Sequence, residues 1–376
     1  MQKLDINRRT ALKLTGILSG TFLLDQWRSI KKWEEELNKD LANSSQELAR
    51  LCYNENPYGP SGLVKDYIAQ RIESAHIYPF AIIEELAEKI AKKHGVDRRC
   101  VVVTAGSREG LKSSALTYAG KDKEVIACLP TYRALLDYAV LQGGKLRAID
   151  LTEDLNYDLM GIEKQINSNT GLVFLCNPNN PTGTLLDGKK VMDFCKRTSQ
   201  KTMVFADEVY YDYIDQPNYP SMIQLIKENY NIIVARTFSK IHGLAGIRVG
   251  YLIAPPNIAG KIRNNLQATT NIIGAWSAMA ALEDEDFYQF SLAKNREGLD
   301  MIYAACERHG LPYKKAQSNF AFIHTGIPVR TFQNRMKDLG ILVGRPFPPY
   351  IDWCRVSTGK IEHVAKFVAE LPKALV

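Results

Sequence analysis

The sequence lacks the features that mark disulfide-linked, metal-binding, nucleic-acid-binding and membrane-spanning proteins. Its seven cysteines are odd in number and scattered, and no Cys-x-x-Cys pair occurs. Neither a disulfide framework nor a zinc site is supported, and the chain is expected to fold in a reducing compartment, before any export. The net charge of +7 is a mild excess, no basic tract is interleaved with aromatic residues, and none of the known nucleic-acid motifs is present. The apolar run at residues 15–24 is too short for a good transmembrane helix.

The N-terminal residues form a segment of their own. Arg8 and Arg9 stand before the short apolar run, a pattern that resembles a twin-arginine export signal. We assign residues 1–26 to this signal segment, with a periplasmic location as the expectation, and residues 27–50 to a charged helical segment. No clear Ala-x-Ala cleavage site is seen, so the segment is also compatible with a retained anchor. The alternative is an amphipathic N-terminal helix in a cytoplasmic protein.

Strand-like and helical segments alternate between residues 101 and 237. Short apolar runs are each followed by turn residues and then by a segment of helical period. Such alternation predicts a mostly parallel sheet with helices on both faces. The loops at the carboxyl ends of its strands then share one crevice, where ligands of such sheets bind. Six loop residues are candidates for that crevice: Gly106, Ser107, Tyr132, Asn180, Asp207 and Tyr210.

The stretch around Lys240 is the centre of this pattern. It follows an apolar strand predicted at residues 232–235, with hydroxyls at Thr237 and Ser239 just before the lysine and Arg248 after it. Hydroxyls and an arginine beside a strand end suit a phosphate, and a lysine in such a pocket suits a Schiff base. Together they predict pyridoxal 5′-phosphate (PLP), which is an aldehyde and a phosphate ester. Taken alone, the stretch also fits a strand, a turn and a solvated lysine.

From about residue 283 the chain changes character. Long helical periods and short strand-like runs replace the regular alternation, which predicts a smaller α+β domain. With 376 residues, 45% of them hydrophobic, the chain is long enough for two domains with cores of their own. We assign residues 76–284 to a large PLP-binding domain, and residues 51–75 with 285–376 to the small domain.

Eight short motifs occur in order along the chain: Asn-Glu-Asn-Pro-Tyr-Gly-Pro at 54–60, Tyr78-Pro79, Ala105-Gly106-Ser107, Pro130-Thr131-Tyr132, Asn179-Asn180-Pro181-Thr182-Gly183, Asp207-Glu208-Val209-Tyr210, Ser239-Lys240 with Arg248, and Arg355 before Val356-Ser357. Because these motifs occur together and in this order, the chain from Leu51 onward resembles the fold-type I PLP enzymes. It resembles in particular the histidinol-phosphate aminotransferase branch of the class I and II aminotransferases. The resemblance implies the aspartate aminotransferase-like α/β fold, with a mostly parallel central sheet in the large domain and a smaller α+β domain.

The resemblance also implies roles around the cofactor ring. Lys240 would form the Schiff base with the cofactor, and then act as general base and acid. Asp207 would pair with the pyridine nitrogen and keep it protonated, so that the ring withdraws electrons. Asn180 and Tyr210 would hydrogen-bond the phenolic oxygen, and Tyr132 would stack on the ring.

The same resemblance supplies the phosphate and substrate contacts. The phosphate would be held by a set of loop residues: Gly106, Ser107, Arg108, Thr237, Ser239 and Arg248. Tyr78 would reach the phosphate of a neighbouring subunit, which implies a homodimer. Arg355 would clamp the substrate carboxylate, and Asn54 and Tyr58 are placed among the substrate-binding residues.

The chain departs from the family pattern after its Ile-Leu-Val run. The family often places an arginine directly after such a strand, but Gly344 holds that place here and Arg345 comes one residue later. Because a one-residue shift turns a strand side chain to the opposite face, Arg345 is expected to miss the pocket unless a bulge restores it. His242, just past the lysine, is expected to pack behind the site.

Three functions are considered for a chain with these motifs. The first is a PLP-dependent aminotransferase that moves an amino group from a donor such as glutamate to a 2-oxo acid or imidazole-acetol phosphate. The alternative is a PLP-dependent decarboxylase or lyase of the threonine-phosphate decarboxylase type. The third is a PLP-binding regulator, against which the complete set of lysine, aspartate and arginine and the lack of a DNA-binding domain both argue. The expected partners are a small donor and acceptor and a second copy, with no nucleic acid and no membrane span beyond the N-terminal segment.

Overall fold

The computed structural model describes Lys32, Glu35 and residues 48–376. The signal segment predicted at 1–26 and nearly all of the helical segment predicted at 27–50 lie outside the described residues, so both stay predictions. Ala49–Val376 forms one compact unit. Among the described residues, no helix combines the length and the apolar character that crossing a membrane requires.

The described chain contains strands and helices that alternate through its first two thirds. The strands are β1 Ala49–Leu51, β2 Val101–Thr104, β3 Glu124–Leu129, β4 Lys145–Asp150, β5 Thr170–Cys176, β6 Met203–Asp207, β7 Ile232–Thr237, β8 Gly250–Ile253, β9 Tyr313–Lys314, β10 Phe320–His324, β11 Ile341–Val343 and β12 Trp353–Ser357. The α-helices are α1 Gly62–Ala69, α2 Phe80–His94, α3 Ser107–Tyr118, α4 Ala134–Leu141, α5 Leu159–Gln165, α6 Gly188–Ser199, α7 Ile223–Lys227, α8 Pro256–Arg263, α9 Ile272–Ala281, α10 Glu285–Arg308, α11 Val329–Asp338 and α12 Ile361–Leu375. Short 3₁₀ turns occur at Ile72–Ser74, Arg98–Cys100 and Tyr211–Tyr213.

A seven-stranded sheet forms the centre of the fold, in the order β2-β8-β7-β6-β5-β3-β4. Strands β3 to β7 pair in parallel, whereas β8 is antiparallel to both β7 and β2. The mostly parallel sheet predicted from the alternation is therefore confirmed. The sequence pattern did not predict β8, because its four residues directly follow the lysine stretch and have no polar boundary of their own.

The central strands are buried on both faces because their sequences are apolar almost throughout. Every residue of β6 and β7 is buried, and Phe174 and Phe205 stack between neighbouring strands with ring centroids 5.9 Å apart. Helices on both faces cover such strands. Polar side chains are therefore confined to the carboxyl ends, where Asp207 and Thr237 lie.

Two smaller sheets accompany the C-terminal part of the chain. Strands β12, β10 and β9 form an antiparallel sheet, and β1 pairs in parallel with β11. They pack with helices α10, α11 and α12 around a second hydrophobic core that includes Leu51, Phe332 and Phe367. β1 thus brings the segment just before residue 54 next to the C-terminal strands. The domain boundaries at 76 and 285 stay predictions.

Candidate active site

The site lies at the carboxyl ends of three neighbouring parallel strands. Cys176 at the end of β5 pairs with Asp207 of β6, which in turn pairs with Ala235 of β7. The loops that follow these strands therefore start side by side. They bring Asn180, Asp207, Tyr210 and Lys240 to one edge of the sheet, as the alternation predicted.

Lys240 holds its amine in a confined environment. Its Nζ donates a 2.9 Å hydrogen bond to the backbone carbonyl of Asn54 and lies 5.5 Å from the centroid of the Tyr210 ring. Burial lowers the pKa of this amine to about 8, and the nearby charge of Arg355 acts in the same direction. A lysine that is partly neutral near pH 8 is a competent nucleophile and proton acceptor.

Asp207 is the last residue of β6 and is 1% exposed. Its Oδ1 accepts a 3.4 Å hydrogen bond from the backbone N–H of Val209, whereas its buried Oδ2 has no hydrogen-bond partner among the described residues. Burial raises the pKa of this carboxyl to about 7, against the opposing effects of the Val209 bond and of Lys240. A buried carboxylate oxygen without a partner needs a donor from a ligand.

The phenol of Tyr210 is held by two asparagines. The Nδ2 of Asn54 donates to its oxygen at 2.9 Å and the Nδ2 of Asn180 donates at 3.4 Å. The Oγ of Ser357 donates to Asn54 Oδ1 at 2.7 Å and fixes that amide. Burial raises the pKa of Tyr210 far above its usual value. The phenol therefore stays protonated, and its own hydrogen remains available to a ligand oxygen.

The N-terminus of α3 forms an anion cradle with Arg248. Gly106 precedes the helix with φ +80°, and no side chain caps the first turn. A Cβ at this position would collide with the guanidinium of Arg248, whose Nη1 donates to Ser239 Oγ at 3.4 Å. Free helix N–H groups, from Ser107 onward, beside a guanidinium and a hydroxyl suit a phosphate.

The remaining predicted cofactor contacts are placed differently. Arg108 is exposed, and its charge acts on the phenol of Tyr132, whose pKa is raised chiefly by burial. Thr237 Oγ1 accepts a 3.1 Å hydrogen bond from the backbone N–H of Ser239, so this hydroxyl holds the lysine turn. Tyr78 is 81% exposed and stacks on Phe80 with centroids 5.7 Å apart.

Arg355 links the crevice to the C-terminal strands. Its Nη1 donates to Asn180 Oδ1 and its Nη2 to the carbonyl of Cys52, each at 2.7 Å. Its buried Nε has no partner among the described residues. Two hydrogen bonds leave three of the five guanidinium N–H groups for a ligand. Burial lowers the pKa of Arg355, but an arginine remains charged in any case.

The expectation that Arg345 misses the pocket unless a bulge restores it stays a prediction. Strand β11 ends at Val343, so the alternation of side chains does not extend to residue 345. The Cζ of Arg345 lies 4.2 Å from the centroid of the Phe347 ring, and the Cζ of Arg355 lies 5.2 Å from the same centroid. Gly344 N–H donates to the Arg355 carbonyl, and a Cβ at Gly344 would collide with that oxygen. An arginine therefore cannot occupy position 344 without a backbone shift, and position 345 brings its charge to the same ring as Arg355.

Two residues that hold the loops of the site, Glu109 and Ser357, were missed by sequence reasoning. A third residue, Tyr58, was predicted to bind substrate, but its hydroxyl already makes a hydrogen bond within the chain. Glu109 is buried, and its carboxylate accepts from the N–H of Ala105 at 2.5 Å and of Ala268 at 2.7 Å. Its place three residues after Gly106 is the capping-box position, a signal that was present in the sequence. Ser357, which fixes Asn54, had no comparable signal. Tyr58 accepts a 3.0 Å hydrogen bond from the N–H of Ile361, so its hydroxyl is engaged at the start of α12.

The residues present fit PLP. The Asp207 oxygen without a partner suits a pyridinium N–H, the cradle at Gly106 suits a phosphate, and the amine of Lys240 suits an aldehyde. These three groups lie at one edge of the sheet, and a ligand that carries all three complementary groups satisfies them together.

Comparisons with known proteins identify the family of this chain. The family model of the class I and II aminotransferases matches residues 46–371. A histidinol-phosphate aminotransferase of Bacillus cytotoxicus is 31% identical over 340 residues, which are 90% of this chain and 91% of that protein. The solved histidinol-phosphate aminotransferase of Sinorhizobium meliloti in complex with pyridoxal-5′-phosphate is 26% identical, with a TM-score of 0.83 over 90% of this chain and 94% of that one. The L-threonine-O-3-phosphate decarboxylase of Porphyromonas gingivalis, at 18% identity and a TM-score of 0.73 over 87% of this chain and 99% of that one, shares the fold alone.

The family model spans most of the chain, and the relative is similar over nearly its full length. The predicted resemblance, fold and cofactor are thereby confirmed. This chain belongs to the class I and II aminotransferases, in the branch similar to the histidinol-phosphate aminotransferases, and is a PLP-dependent aminotransferase.

Proposed function

We propose that this enzyme exchanges an amino group between glutamate and either imidazole-acetol phosphate or a 2-oxo acid, with histidinol phosphate as the amine in the first case. The observation that carries the proposal is the pair of arginines at Phe347. Arg355 offers three unused N–H groups in a buried position, and Arg345 brings a second positive charge to the Phe347 ring that Arg355 also contacts. Such a pair suits a carboxylate in one half-reaction and a phosphate in the other.

The residues of the chain divide the chemical work. When bound, PLP supplies an electron-withdrawing ring that stabilises negative charge on the substrate carbon next to the nitrogen. Lys240 would hold the cofactor and then, as a free amine, take the proton from that carbon and deliver it to the cofactor carbon that had carried the aldehyde. Asp207 holds the positive charge of the ring nitrogen, and the protonated phenol of Tyr210 donates to the ring oxygen. Gly106, Ser107 and Arg248 hold the phosphate.

A homodimer is part of the proposal. Three apolar side chains near the start of α2 are exposed: Ile77 by 54%, Tyr78 by 81% and Phe80 by 63%. Contiguous exposed apolar side chains of this size are typical of interaction surfaces. We expect this surface to pack on a second copy, with Tyr78 reaching the phosphate of that copy. Its stacking on Phe80 holds the phenol away from its own chain's core.

The compartment is proposed from the sequence alone. The twin-arginine-like leader favours export to the periplasm, and the alternative is a cytoplasmic enzyme. Cell fractionation of the full chain and of an Arg8→Lys, Arg9→Lys variant distinguishes the two. Retention of the variant together with periplasmic recovery of the wild type supports export, and cytoplasmic recovery of both contradicts it.

Half-reactions test the proposed substrates. Holoenzyme mixed with glutamate and no acceptor is expected to form about one equivalent of 2-oxoglutarate per subunit, as ping-pong kinetics require. Histidinol phosphate is expected to give the corresponding ketone in the same way. Release of CO2 from an amino acid would instead support the decarboxylase or lyase alternative. Arg355→Gln should abolish the glutamate half-reaction while PLP remains bound.

A further inference from the structure

Two residues of strand β12 hold the two asparagines that contact Tyr210. Arg355 and Ser357 are two positions apart in this strand, so their side chains lie on the same face of it. Arg355 Nη1 donates to Asn180 Oδ1, and Ser357 Oγ donates to Asn54 Oδ1, each at 2.7 Å. All five side chains of this group are buried, so these hydrogen bonds are shielded from water.

The hydroxyl of Ser357 has a single hydrogen, and the contacts around it set its direction. Its Oγ accepts a 2.9 Å hydrogen bond from the backbone N–H of Asn54, and its hydrogen goes to the side-chain oxygen of the same residue. If the amide of Asn54 were turned over, its Nδ2 would face Ser357 and the serine hydrogen would lose this acceptor. A buried donor without an acceptor is costly, so the serine favours the arrangement in which Nδ2 faces Tyr210.

Both amides therefore present hydrogens, and not oxygens, to the phenol of Tyr210. Its oxygen lies 2.9 Å from Asn54 Nδ2 and 3.4 Å from Asn180 Nδ2. Because an arginine has donors and no acceptor, Arg355 fixes the orientation of Asn180 as Ser357 fixes that of Asn54. A phenol oxygen that accepts from two amides sends its own hydrogen elsewhere, and the ring oxygen of the cofactor is the acceptor that the proposed function assigns to it.

We propose that Ser357 is a positioning residue of the reaction: through Asn54, it directs the hydrogen of the Tyr210 phenol to the ring oxygen of PLP. This inference rests on the proposed role of Tyr210 as the donor to that oxygen. Without the serine hydroxyl, the amide of Asn54 is free to turn over, and its Oδ1 then takes the phenol hydrogen. The serine acts next to the reacting amine, because the carbonyl of Asn54 accepts from Lys240 Nζ at 2.9 Å.

The consequence that can be measured is the proton affinity of the Schiff base between Lys240 and the cofactor. A hydrogen bond to the ring oxygen stabilises negative charge on that oxygen, and this makes the neighbouring Schiff base easier to deprotonate. Loss of that hydrogen bond should therefore raise the pKa of the Schiff base. Four charged side chains act on Lys240: Arg355, Glu55, Arg248 and Asp207. Exchange of the uncharged serine for alanine leaves all four in place.

Spectroscopic titration of the holoenzyme, without substrate, tests the proposal. The protonated and the neutral Schiff base absorb at different wavelengths, so absorbance measured against pH gives the pKa. Ser357→Ala should raise this pKa by about 0.5 to 1 pH unit, and Ser357→Thr, which keeps a hydroxyl, should restore the wild-type value. Ser277→Ala is the matched control and should leave the pKa unchanged, because it removes a buried hydroxyl that donates to the carbonyl of Ile273 within helix α9.

A second variant separates this role from a general loss of packing. Tyr210→Phe removes the phenol hydroxyl and should raise the pKa by itself. In that background Ser357→Ala should give no further rise, because no phenol hydrogen is left to redirect. If Ser357→Ala does not fold, Ser357→Cys takes its place, since a thiol is a weak donor, and a smaller rise of the same sign is expected.

The outcomes distinguish the proposal from the function on which it rests. An unchanged pKa in the Ser357 variant, or equal rises from it in the two backgrounds, would overturn the proposal and leave the role of Tyr210 intact. An unchanged pKa in Tyr210→Phe would overturn both. Because the titration uses no substrate, none of these outcomes depends on which compounds the enzyme transaminates.

Discussion

The amine of Lys240 donates a 2.9 Å hydrogen bond to the backbone carbonyl of Asn54, 186 residues earlier in the chain. Asn54 has a positive φ of 56°, a conformation that asparagine tolerates better than most residues. Its side chain at the same time donates to Tyr210. One residue of the N-terminal loop thus contacts both the lysine and the phenol.

The lowered pKa of Lys240 predicts how cofactor capture depends on pH. Because the folded chain holds this pKa at about 8 instead of 10.5, the neutral amine is present at lower pH than in a free lysine. The rate at which apoprotein takes up PLP, followed by absorbance, should rise with pH and level off above a midpoint near 8. Arg355→Met removes a charge that lowers this pKa, so its midpoint should lie higher. A wild-type rate that keeps rising to pH 10 would contradict the lowered pKa.

Asp207→Asn should slow the half-reaction with glutamate. The amide cannot hold the positive charge on the ring nitrogen, and a hydrogen bond to a charged group contributes about 1.5–3 kcal/mol. Turnover should fall by about tenfold to a hundredfold, measured as the single-turnover rate of 2-oxoglutarate formation. Asp215→Asn, on a partly exposed aspartate, is the matched control and should retain the rate. Equal rates in both variants would exclude the role assigned to Asp207.

Gly106→Ala should weaken cofactor binding. Gly106 has φ +80°, and a Cβ there meets Arg248, so the substitution strains the backbone and displaces the guanidinium. Strain of this kind costs about 1–3 kcal/mol, which predicts a PLP dissociation constant raised about tenfold or more. Gly246→Ala is the control, because a Cβ at that position meets nothing within 4 Å. An unchanged dissociation constant in Gly106→Ala would show that the cradle does not hold the phosphate.

The buried pair of Arg236 and Glu208 should contribute strongly to stability. Their side chains are 7% and 5% exposed and meet at 2.7 Å, and breaking such a pair typically costs about 3–5 kcal/mol. Glu208→Gln should lower the free energy of unfolding of the apoprotein by that order, measured by urea denaturation. Glu163→Gln breaks the more exposed pair with Arg197 and should cost under about 1 kcal/mol. Similar losses in the two variants would contradict the assigned burial.

Much of the fold could be predicted from local patterns. The alternation of apolar and amphipathic segments predicted the parallel sheet. Polar residues at the ends of the predicted strands also indicated which loops lie together, because parallel strands bring their carboxyl ends to one edge of the sheet. Helix α9 was not predicted, because all ten of its residues, Ile272–Ala281, are apolar or small and show no period.

Contacts between distant segments could not be predicted in the same way. Asn54 meets Tyr210 and Ser357 across 156 and 303 residues, and no local pattern records such pairings. The surroundings of Arg345 could not be read from the strand pattern, because β11 ends at Val343 and Gly344 N–H donates to the carbonyl of the distant Arg355.

Borohydride reduction of the purified holoenzyme, followed by peptide mapping, shows which residue of the chain holds the cofactor. Reduction makes the bond between the cofactor and its lysine permanent, so the modified residue can be identified by mass spectrometry. We expect a pyridoxyl group on Lys240 and loss of the label in Lys240→Ala. A label on another lysine, or a reduced protein without any vitamin B6 derivative, would contradict this expectation.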